Sequence, residues 1–346
     1  MYLPSSSQAV VWAIGILYCC AGCWKNSPSG EPSTRPATQP ATPLARFDYL
    51  QYRMGMRARM VVYAKDRDAA DEAARAAYRR VTELELAASD YRKDSELMRL
   101  CAAAGGPPVK ISDDLFTLLQ TSCEVSRRSD GAFDCTCGPL VRLWREARKT
   151  KQLPKQQQID AALKLVGWRK IKLDATNHTA QLLQPGMLLD LGGIAKGYAG
   201  DCVMAVLRQH GVNSALFEIG GDIVVSDAPP DSPAGWDIGI MPEGGSDKER
   251  MVSISNCGIS TSGDTFQFVE VGGRHYSHVI DPRTGWALTS RRMTTIIAPQ
   301  GIISDALSTA TDVLEPDQAR ALVKTYPHTR IYIGKSVDPQ NTKTRE

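Results

Sequence analysis

Apolar residues recur at helical spacing in the first half of the chain and alternate with polar residues in short segments of the second half. The clearest helical pattern covers residues 68–88, where the apolar positions share one face: Ala70, Ala73, Ala77, Val81, Leu84 and Ala88. Apolar residues between 115 and 125 predict a second helix, which ends at the turn sequence SDGAFD (129–134). We expect two or three more helices between 138 and 166, one over 196–210 and two over 304–325.

The β-rich segments predict an opening strand and two later hairpins. Residues 52–64 form the predicted opening strand, while 170–183 and 268–280 predict hairpins, the second with Gly272-Gly273 at its turn. Helices come first, antiparallel strands follow, and strand–helix–strand units are few, so the pattern favours an α+β fold with mixed or antiparallel sheets and flanking helices. No second linker or repeat interrupts the chain, which predicts a single domain over 45–335 and a polar tail over 336–346.

The N-terminal segment has a different composition from the rest of the chain. Residues 9–20 form an apolar run that is too short to cross a membrane but has the length of a signal-peptide core. Ala21 and Gly22 precede Cys23, as in a bacterial lipobox, so we expect export and a lipid anchor on Cys23 in the inner membrane, facing the periplasm. Cys20 stands where Leu is usual and no Lys or Arg precedes the run, so a buried N-terminal strand or helix remains the alternative.

Residues 24–44 are rich in Pro, Ser and Thr, which predicts an extended tether between this anchor and the domain. The rest of the composition is that of a globular protein: 41 Lys and Arg against 38 Asp and Glu leave a net charge of +3. This balance does not favour a nucleic-acid partner. The six cysteines of the body show no C-x2-C spacing, so we expect buried thiols, with one disulfide as the alternative, and no structural zinc site.

Common catalytic motifs are absent from the sequence. It contains no H-E-x-x-H, Walker loop or G-x-G-x-x-G following a strand. The stretch GISTSGD (258–264) approaches a nucleophile elbow, but Ser262 stands where that motif needs Gly. A serine hydrolase is therefore disfavoured.

Two polar clusters suggest an anion and a cation site. In DLGGIAKG (190–197) the glycines allow a ligand to approach the backbone, and the helix that follows offers N–H groups to phosphate. A tight turn that packs a helix explains these glycines almost as well. Asp305 and Thr309 are spaced i, i+4, which places a carboxylate and a hydroxyl on one helix face, a pair of oxygen ligands suited to Mg²⁺.

Taken together and in order, eight motifs resemble the ApbE-type flavin transferases, which are FAD:protein FMN transferases. The resemblance extends from about residue 46 to 334 and rests on Met54-Gly55, SDYRKDSEL (89–97), SDGAFD (129–134), DLGGIAKGYAGD (190–201), GGD (220–222), GISTSGD (258–264), HVIDPRTG (278–285) and DALST (305–309).

This resemblance implies a substrate, a metal and a set of site residues. FAD is the substrate, Mg²⁺ holds its pyrophosphate, and FMN passes to a Thr hydroxyl of a target protein while AMP leaves. The implied FAD contacts are Met54, Tyr91, Ala132, Phe133, Asp134, Asp190, Lys196 and Ile280. The implied metal ligands are Gly193 through its carbonyl, Asp305, Ser308 and Thr309. His278 is the expected catalytic base, and Asp281 is its catalytic companion; a structural role for His278 remains open.

One departure and two alternatives accompany this hypothesis. Met56 stands where the family usually has Thr, which removes a hydroxyl near the expected flavin pocket. An FAD pyrophosphatase would use the same site with water as the acceptor, and a non-catalytic FAD-binding lipoprotein would need only the binding residues. The expected acceptors are flavoprotein subunits of membrane redox complexes or exported reductases.

Overall fold

A seven-stranded antiparallel sheet forms the centre of the fold. The structure is a computed structural model that describes residues 43–240, 250–263, 268–290 and 292–335. The predicted leader, nearly all of the tether, the tail and Asp264 of GISTSGD lie outside these ranges. In spatial order the strands are β1 (Ala45–Arg53), β2 (Met56–Ala64), β6 (Ser214–Ile219), β7 (Asp222–Val225), β10 (Cys257–Ser262), β13 (Arg292–Ala298) and β14 (Arg330–Lys335).

Three smaller sheets accompany the central one in the described ranges. They are β3 (Val109–Lys110) with β4 (Ile171–Asp174) and β5 (Thr179–Leu182); β8 (Trp236–Ile240) with β9 (Arg250–Ile254); and β11 (Phe268–Val271) with β12 (Arg274–Ser277). The two predicted hairpins are therefore confirmed as β4–β5 and β11–β12.

The predicted opening strand is wrong in one respect, because residues 52–64 contain the end of one strand and the whole of the next. Met54 and Gly55 form the turn between β1 and β2, with φ angles of 51° and 72°. β1 is an edge strand in which exposed positions, including Leu50 and Tyr52, alternate with half-buried ones, so that apolar residues lie on both faces. Its weak apolar pattern hid it in the sequence.

The helices lie close to their predicted positions, except for the short α2, for which no helix was predicted, and the α+β fold class is confirmed. They are α1 (Arg67–Ala88), α2 (Glu96–Ala102), α3 (Asp113–Arg128), α4 (Gly138–Thr150), α5 (Gln156–Leu163), α6 (Ala195–Gln209), α7 (Gly301–Val313) and α8 (Pro316–Lys324). Within the described ranges, none of them combines the length and apolar character that a membrane crossing requires. The six body cysteines are all free thiols.

The central sheet buries both of its faces. On one face, Met60 and Val62 of β2 pack against the alanine-rich surface of α1 and against α6. On the other face, Val61 and Tyr63 pack against Trp236 of the β8–β9 hairpin. The alternation of β2 side chains between two apolar layers explains why almost every residue of this strand beyond Arg59 is buried.

Helices α6 and α7 approach each other so closely that only glycine fits between them. A Cβ atom on Gly197 would lie 2.0 Å from the carbonyl oxygen of Gly301, and one on Gly301 would lie 2.4 Å from the carbonyl oxygen of Gly197. Such separations are far below van der Waals contact. The glycines therefore allow the first turn of α6 to lie against the first turns of α7.

We expect Gly197→Ala to lower the free energy of unfolding by about 1–3 kcal/mol, because the added methyl group forces the two helices apart. Chemical denaturation of the full chain measures this change. Ala205→Ser, which also adds one heavy atom to α6 but at an exposed position, should change it by less than about 0.5 kcal/mol. An equal effect of the two substitutions would contradict the close helix contact.

Candidate active site

Lys196 lies at the centre of a buried charge cluster. Its Nζ is 2.8 Å from Oδ2 of Asp222 and 3.1 Å from Oδ1 of Asp305, and it donates a hydrogen bond of 2.9 Å to the carbonyl oxygen of Gly192. The side chains of Asp222 and Asp305 are only 6% and 3% exposed. One ammonium group thus joins two carboxylates that have almost no contact with solvent.

Three separate elements bring these groups together. Lys196 occupies the first turn of α6, and Asp305 occupies the second turn of α7. Asp222 begins β7 directly after the turn Gly220-Gly221, whose φ angles of 58° and 91° favour glycine. The Gly197 N–H also donates to Oδ2 of Asp305 at 3.0 Å. The Asp305 carboxylate therefore accepts a hydrogen bond from the otherwise uncapped N-terminus of α6.

The cluster carries more negative than positive charge. Burial and the neighbouring carboxylate of Asp222 raise the pKa of Asp305 to about 7, although Lys196 opposes the shift. Burial alone would lower the pKa of Lys196, but Asp222 and Asp305 together raise it above its ordinary value. When both carboxylates are ionised, they leave a net charge of −1 beside the single ammonium group in a buried place, and a bound cation would balance it.

The residues expected to hold Mg²⁺ are neighbours. A Cβ atom on Gly193 would lie 2.7 Å from Oγ1 of Thr309, so the backbone of the 190–194 loop passes directly beside that hydroxyl. The Ser308 hydroxyl instead donates to the carbonyl oxygen of Asp305 at 2.8 Å, within its own helix. Carboxylate, hydroxyl and carbonyl oxygens are the ligands that a hard cation prefers. The negative charge of the ionised cluster would also attract such a cation. Over the described ranges, no three His, Cys, Asp or Glu side chains group together as a metal site.

The glycines of the 190–197 loop have a packing function. Gly193 lies against Thr309, and Gly197 lies against the backbone of Gly301. The sequence offered two explanations for these glycines, an anion site and a tight turn that packs a helix. The structure contains the tight turn.

Asp190 is held by an arginine that the sequence did not indicate. Its Oδ1 accepts a hydrogen bond of 2.8 Å from the Gly192 N–H, and its Oδ2 lies 3.1 Å from Nη2 of Arg145. Arg145 also forms an ion pair with Asp90, and its guanidinium lies 4.2 Å from the centre of the Tyr91 ring. Tyr91 is 77% exposed. These contacts join two expected FAD-contact residues, Asp190 and Tyr91, into one network.

The last three side chains of the SDGAFD turn point into the protein. Ala132 and Phe133 are buried in the main core. The carboxylate of Asp134 accepts hydrogen bonds from the N–H and hydroxyl of Thr136 and from the N–H of Trp168, at 2.6–2.9 Å. Burial raises the pKa of this carboxylate. The three side chains thus stabilise the loop, and a contact between this loop and a flavin stays a prediction.

His278 and Asp281 lie three residues apart in the segment that follows β12. The Asp281 carboxylate accepts hydrogen bonds of 2.9 Å from the N–H, Nε and Nη2 of Arg283, so it is engaged in its own turn. A Cβ atom on Gly131 would lie 3.7 Å from Cγ of Arg283, which places the SDGAFD turn beside this one. Ile280 is buried and pairs with Ala287 in an isolated bridge. Asp281 thus has a clear structural role, and its catalytic role remains a prediction.

The β1–β2 turn reaches the charge cluster. The Met54 N–H donates to Oε2 of Glu85 at 3.4 Å. A Cβ atom on Gly220 would lie 2.4 Å from the sulfur of Met56 and 3.5 Å from Cδ of Lys196. Met56, the residue that departs from the family pattern, therefore packs beside Gly220 near the stem of Lys196.

Sequence reasoning assigned no role to four residues that organise this region. Asp222 belongs to the GGD motif. Its position directly after two turn glycines was the feature of the sequence that could have indicated a role in the site. Asp201 closes DLGGIAKGYAGD and accepts hydrogen bonds of 2.7 and 2.8 Å from the N–H groups of Gly301 and Ile302, at the start of α7. Asp90 belongs to SDYRKDSEL, in which only Tyr91 was assigned a role, and Arg145 gave no signal, because charged residues on a helix are ordinarily solvated.

We expect Lys196→Met to lower the free energy of unfolding by about 3–5 kcal/mol, because it leaves two buried carboxylates without a partner. Adding Asp222→Asn removes one of these charges, so the double variant should be more stable than Lys196→Met alone. Chemical denaturation of the single and double variants gives the coupling between the two positions.

Lys172→Met, at an exposed position of β4, is the matched control and should change stability by less than about 0.5 kcal/mol. If Lys196→Met were as stable as this control, the ion pairs of Lys196 would not hold the cluster together.

Comparison with known proteins identifies the family. The model of the ApbE family matches residues 54–333. The FAD:protein FMN transferase of Treponema pallidum (strain Nichols) is 33% identical over 338 residues, which cover 93% of this chain and 90% of that protein. The FAD:protein FMN transferase of Escherichia coli (strain K12) is 33% identical over 245 residues, which cover 68% and 69% of the two chains.

Solved structures agree with this result. The apo form of the Pseudomonas stutzeri flavinyl transferase ApbE superposes with a TM-score of 0.76 at 28% identity, covering 87% of this chain and 94% of that one. The Vibrio cholerae flavin transferase ApbE gives a TM-score of 0.75 at 25% identity, covering 86% and 95%. With its family model matched from the β1–β2 turn into β14, this chain belongs to the ApbE family.

Proposed function

We propose that this chain is an FAD:protein FMN transferase. It transfers FMN from FAD to a Thr hydroxyl of an acceptor flavoprotein, depends on Mg²⁺, and releases AMP. The observation that carries the proposal is the buried cluster of Lys196, Asp222 and Asp305 at the N-terminus of α6, since it combines a cation for phosphate with carboxylate oxygen for a metal ion. The names of the relatives support the same reaction.

The Mg²⁺ ion would be held by the Asp305 carboxylate, the Thr309 hydroxyl and the Gly193 carbonyl group. When bound, the ion supplies positive charge that balances the FAD pyrophosphate and the excess negative charge of the cluster. Lys196 then binds a phosphate oxygen, a role for which its high pKa keeps it protonated. Ser308 is the weakest candidate ligand, because its hydroxyl donates within the helix.

His278 acts on the acceptor in this proposal. Its imidazole accepts the proton of the Thr hydroxyl, and the Thr oxygen forms a bond to the phosphorus of the FMN part. The bond from that phosphorus to the bridging pyrophosphate oxygen breaks, and AMP leaves with that oxygen. Asp281 and Arg283 fix the turn that follows His278 and so help to position its ring.

The cellular setting is part of the same proposal. A lipid anchor on Cys23 and the tether of residues 24–44 would hold the domain at the periplasmic face of the inner membrane. Acceptors there would be flavoprotein subunits of membrane redox complexes or exported reductases.

The proposed reaction is tested by incubating the purified full chain with FAD, Mg²⁺ and an acceptor protein that carries a flavinylation-type Thr. Intact mass of the acceptor and chromatography of AMP report the two products. A mass gain equal to FMN together with AMP release is the expected result. AMP release without a mass gain would indicate a pyrophosphatase, and FAD retained without either product would indicate a binding protein.

We expect Asp305→Ala to abolish Mg²⁺-dependent turnover, because the variant loses the charged ligand of the proposed metal site. Asp305→Asn, which keeps the size of the side chain, should lose turnover in the same way. Rates across a Mg²⁺ titration measure the effect, and Asp317→Ala, at an exposed position of α8, is the control. Full activity in both Asp305 variants would remove the metal assignment.

We expect His278→Ala to lower the transfer rate by about 10²–10⁴-fold, the usual contribution of a general base, and to leave FAD affinity unchanged. His275→Ala is the matched control three residues earlier, where the ring stacks on Phe268. Single-turnover kinetics and FAD titration separate the two effects. Loss of FAD affinity in His278→Ala would assign the residue a structural role.

A further inference from the structure

Arg148 is a half-buried arginine with no carboxylate partner in the described part of the chain. It lies one turn after Arg145 on α4, so the two side chains leave the helix on the same side. No Asp or Glu of the described ranges forms an ion pair with the Arg148 guanidinium, whereas Arg145 pairs with both Asp90 and Asp190. The nearby carboxylates of Asp90 and Asp190 are thus already paired with Arg145.

The surroundings of Arg148 are unfavourable for an isolated positive charge. Burial and the adjacent charge of Arg145 lower the pKa of Arg148 below its ordinary value, against the weaker opposing effects of Tyr91 and Asp190. Partial burial of a guanidinium beside a second guanidinium is unfavourable, and a bound anion would offset this repulsion. The arrangement therefore favours binding of an anion from outside the chain.

Its position one turn from Arg145, which contacts both Asp190 and Tyr91, places Arg148 at the rim of the candidate active site. Tyr91 exposes most of its ring and stacks on Arg145. Asp190 binds the Gly192 N–H, and the Gly192 carbonyl oxygen in turn accepts a hydrogen bond from Lys196. Contacts thus run without a break from the Arg145–Arg148 side of α4 to the charge cluster.

We infer that Arg148 binds a phosphate oxygen of FAD. This inference rests on the proposed function, in which Tyr91 and Asp190 contact FAD. The negative charge of FAD resides on its pyrophosphate. This group is therefore the anionic part of the substrate that a guanidinium at this rim would bind. Arginine donates several N–H groups in a fixed plane and suits phosphate recognition.

The test compares FAD binding and stability in the apo state for Arg148→Met, in the full chain with Mg²⁺ present. We expect the dissociation constant for FAD to rise about tenfold or more, since a hydrogen bond to a charged group contributes about 1.5–3 kcal/mol. We expect the apo melting temperature to stay equal or rise, because the substitution removes an uncompensated charge. Arg148→Lys, which keeps the charge, should recover part of the affinity.

Arg142→Met is the matched control, since Arg142 is an exposed arginine of the same helix, and it should change neither quantity. If Arg148→Met left the FAD affinity unchanged, the inference would be overturned, even if transfer of FMN to the acceptor became slower. A lower apo melting temperature together with weaker FAD binding would also overturn it, because it would show a structural role. If the unsubstituted chain bound no FAD, the proposed function itself would fail.

Discussion

The ion pairs of Lys196 with Asp222 and Asp305 are the constraint on which the rest of the site depends. Two carboxylates that are almost fully buried share a single ammonium group. Such an arrangement is costly unless the partners stay close and their remaining oxygens are bound. The Gly197 N–H satisfies one of these oxygens. The remaining negative charge makes the cluster a place where a cation would bind.

The fold keeps these groups together through close backbone packing rather than through large side chains. Gly197 lies against Gly301, and Gly258 of β10 lies against the same residue, where a Cβ atom would be 2.5 Å from its Cα. Asp201 adds to this contact by accepting both N–H groups at the start of α7. The glycines, the capping carboxylate and the charge cluster therefore form one unit at the junction of α6 and α7.

Much of the fold could be predicted from the sequence, and the reasons are local. Helix α1 has a continuous apolar face, and the β11–β12 turn has a glycine pair, so both are specified by neighbouring residues. The separation of β1 from β2 was missed, because β1 is an edge strand with a weak apolar pattern. The spacing of Asp305 and Thr309 and the 190–197 loop likewise indicated residues that the structure brings together. The role of Asp222 and the Arg145–Asp190 pair depend on contacts between distant segments, which periodicity does not reveal.

In the proposed function, the cluster of Lys196, Asp222 and Asp305 binds a divalent cation together with FAD. A crystal structure of the full chain with FAD and Mn²⁺ in place of Mg²⁺ tests it, because anomalous scattering locates the manganese. We predict an ion bonded to the Asp305 carboxylate and the Thr309 hydroxyl, with the pyrophosphate beside Lys196. Bound FAD with no anomalous peak near Asp305, and with Lys196 still paired to both carboxylates, would contradict it.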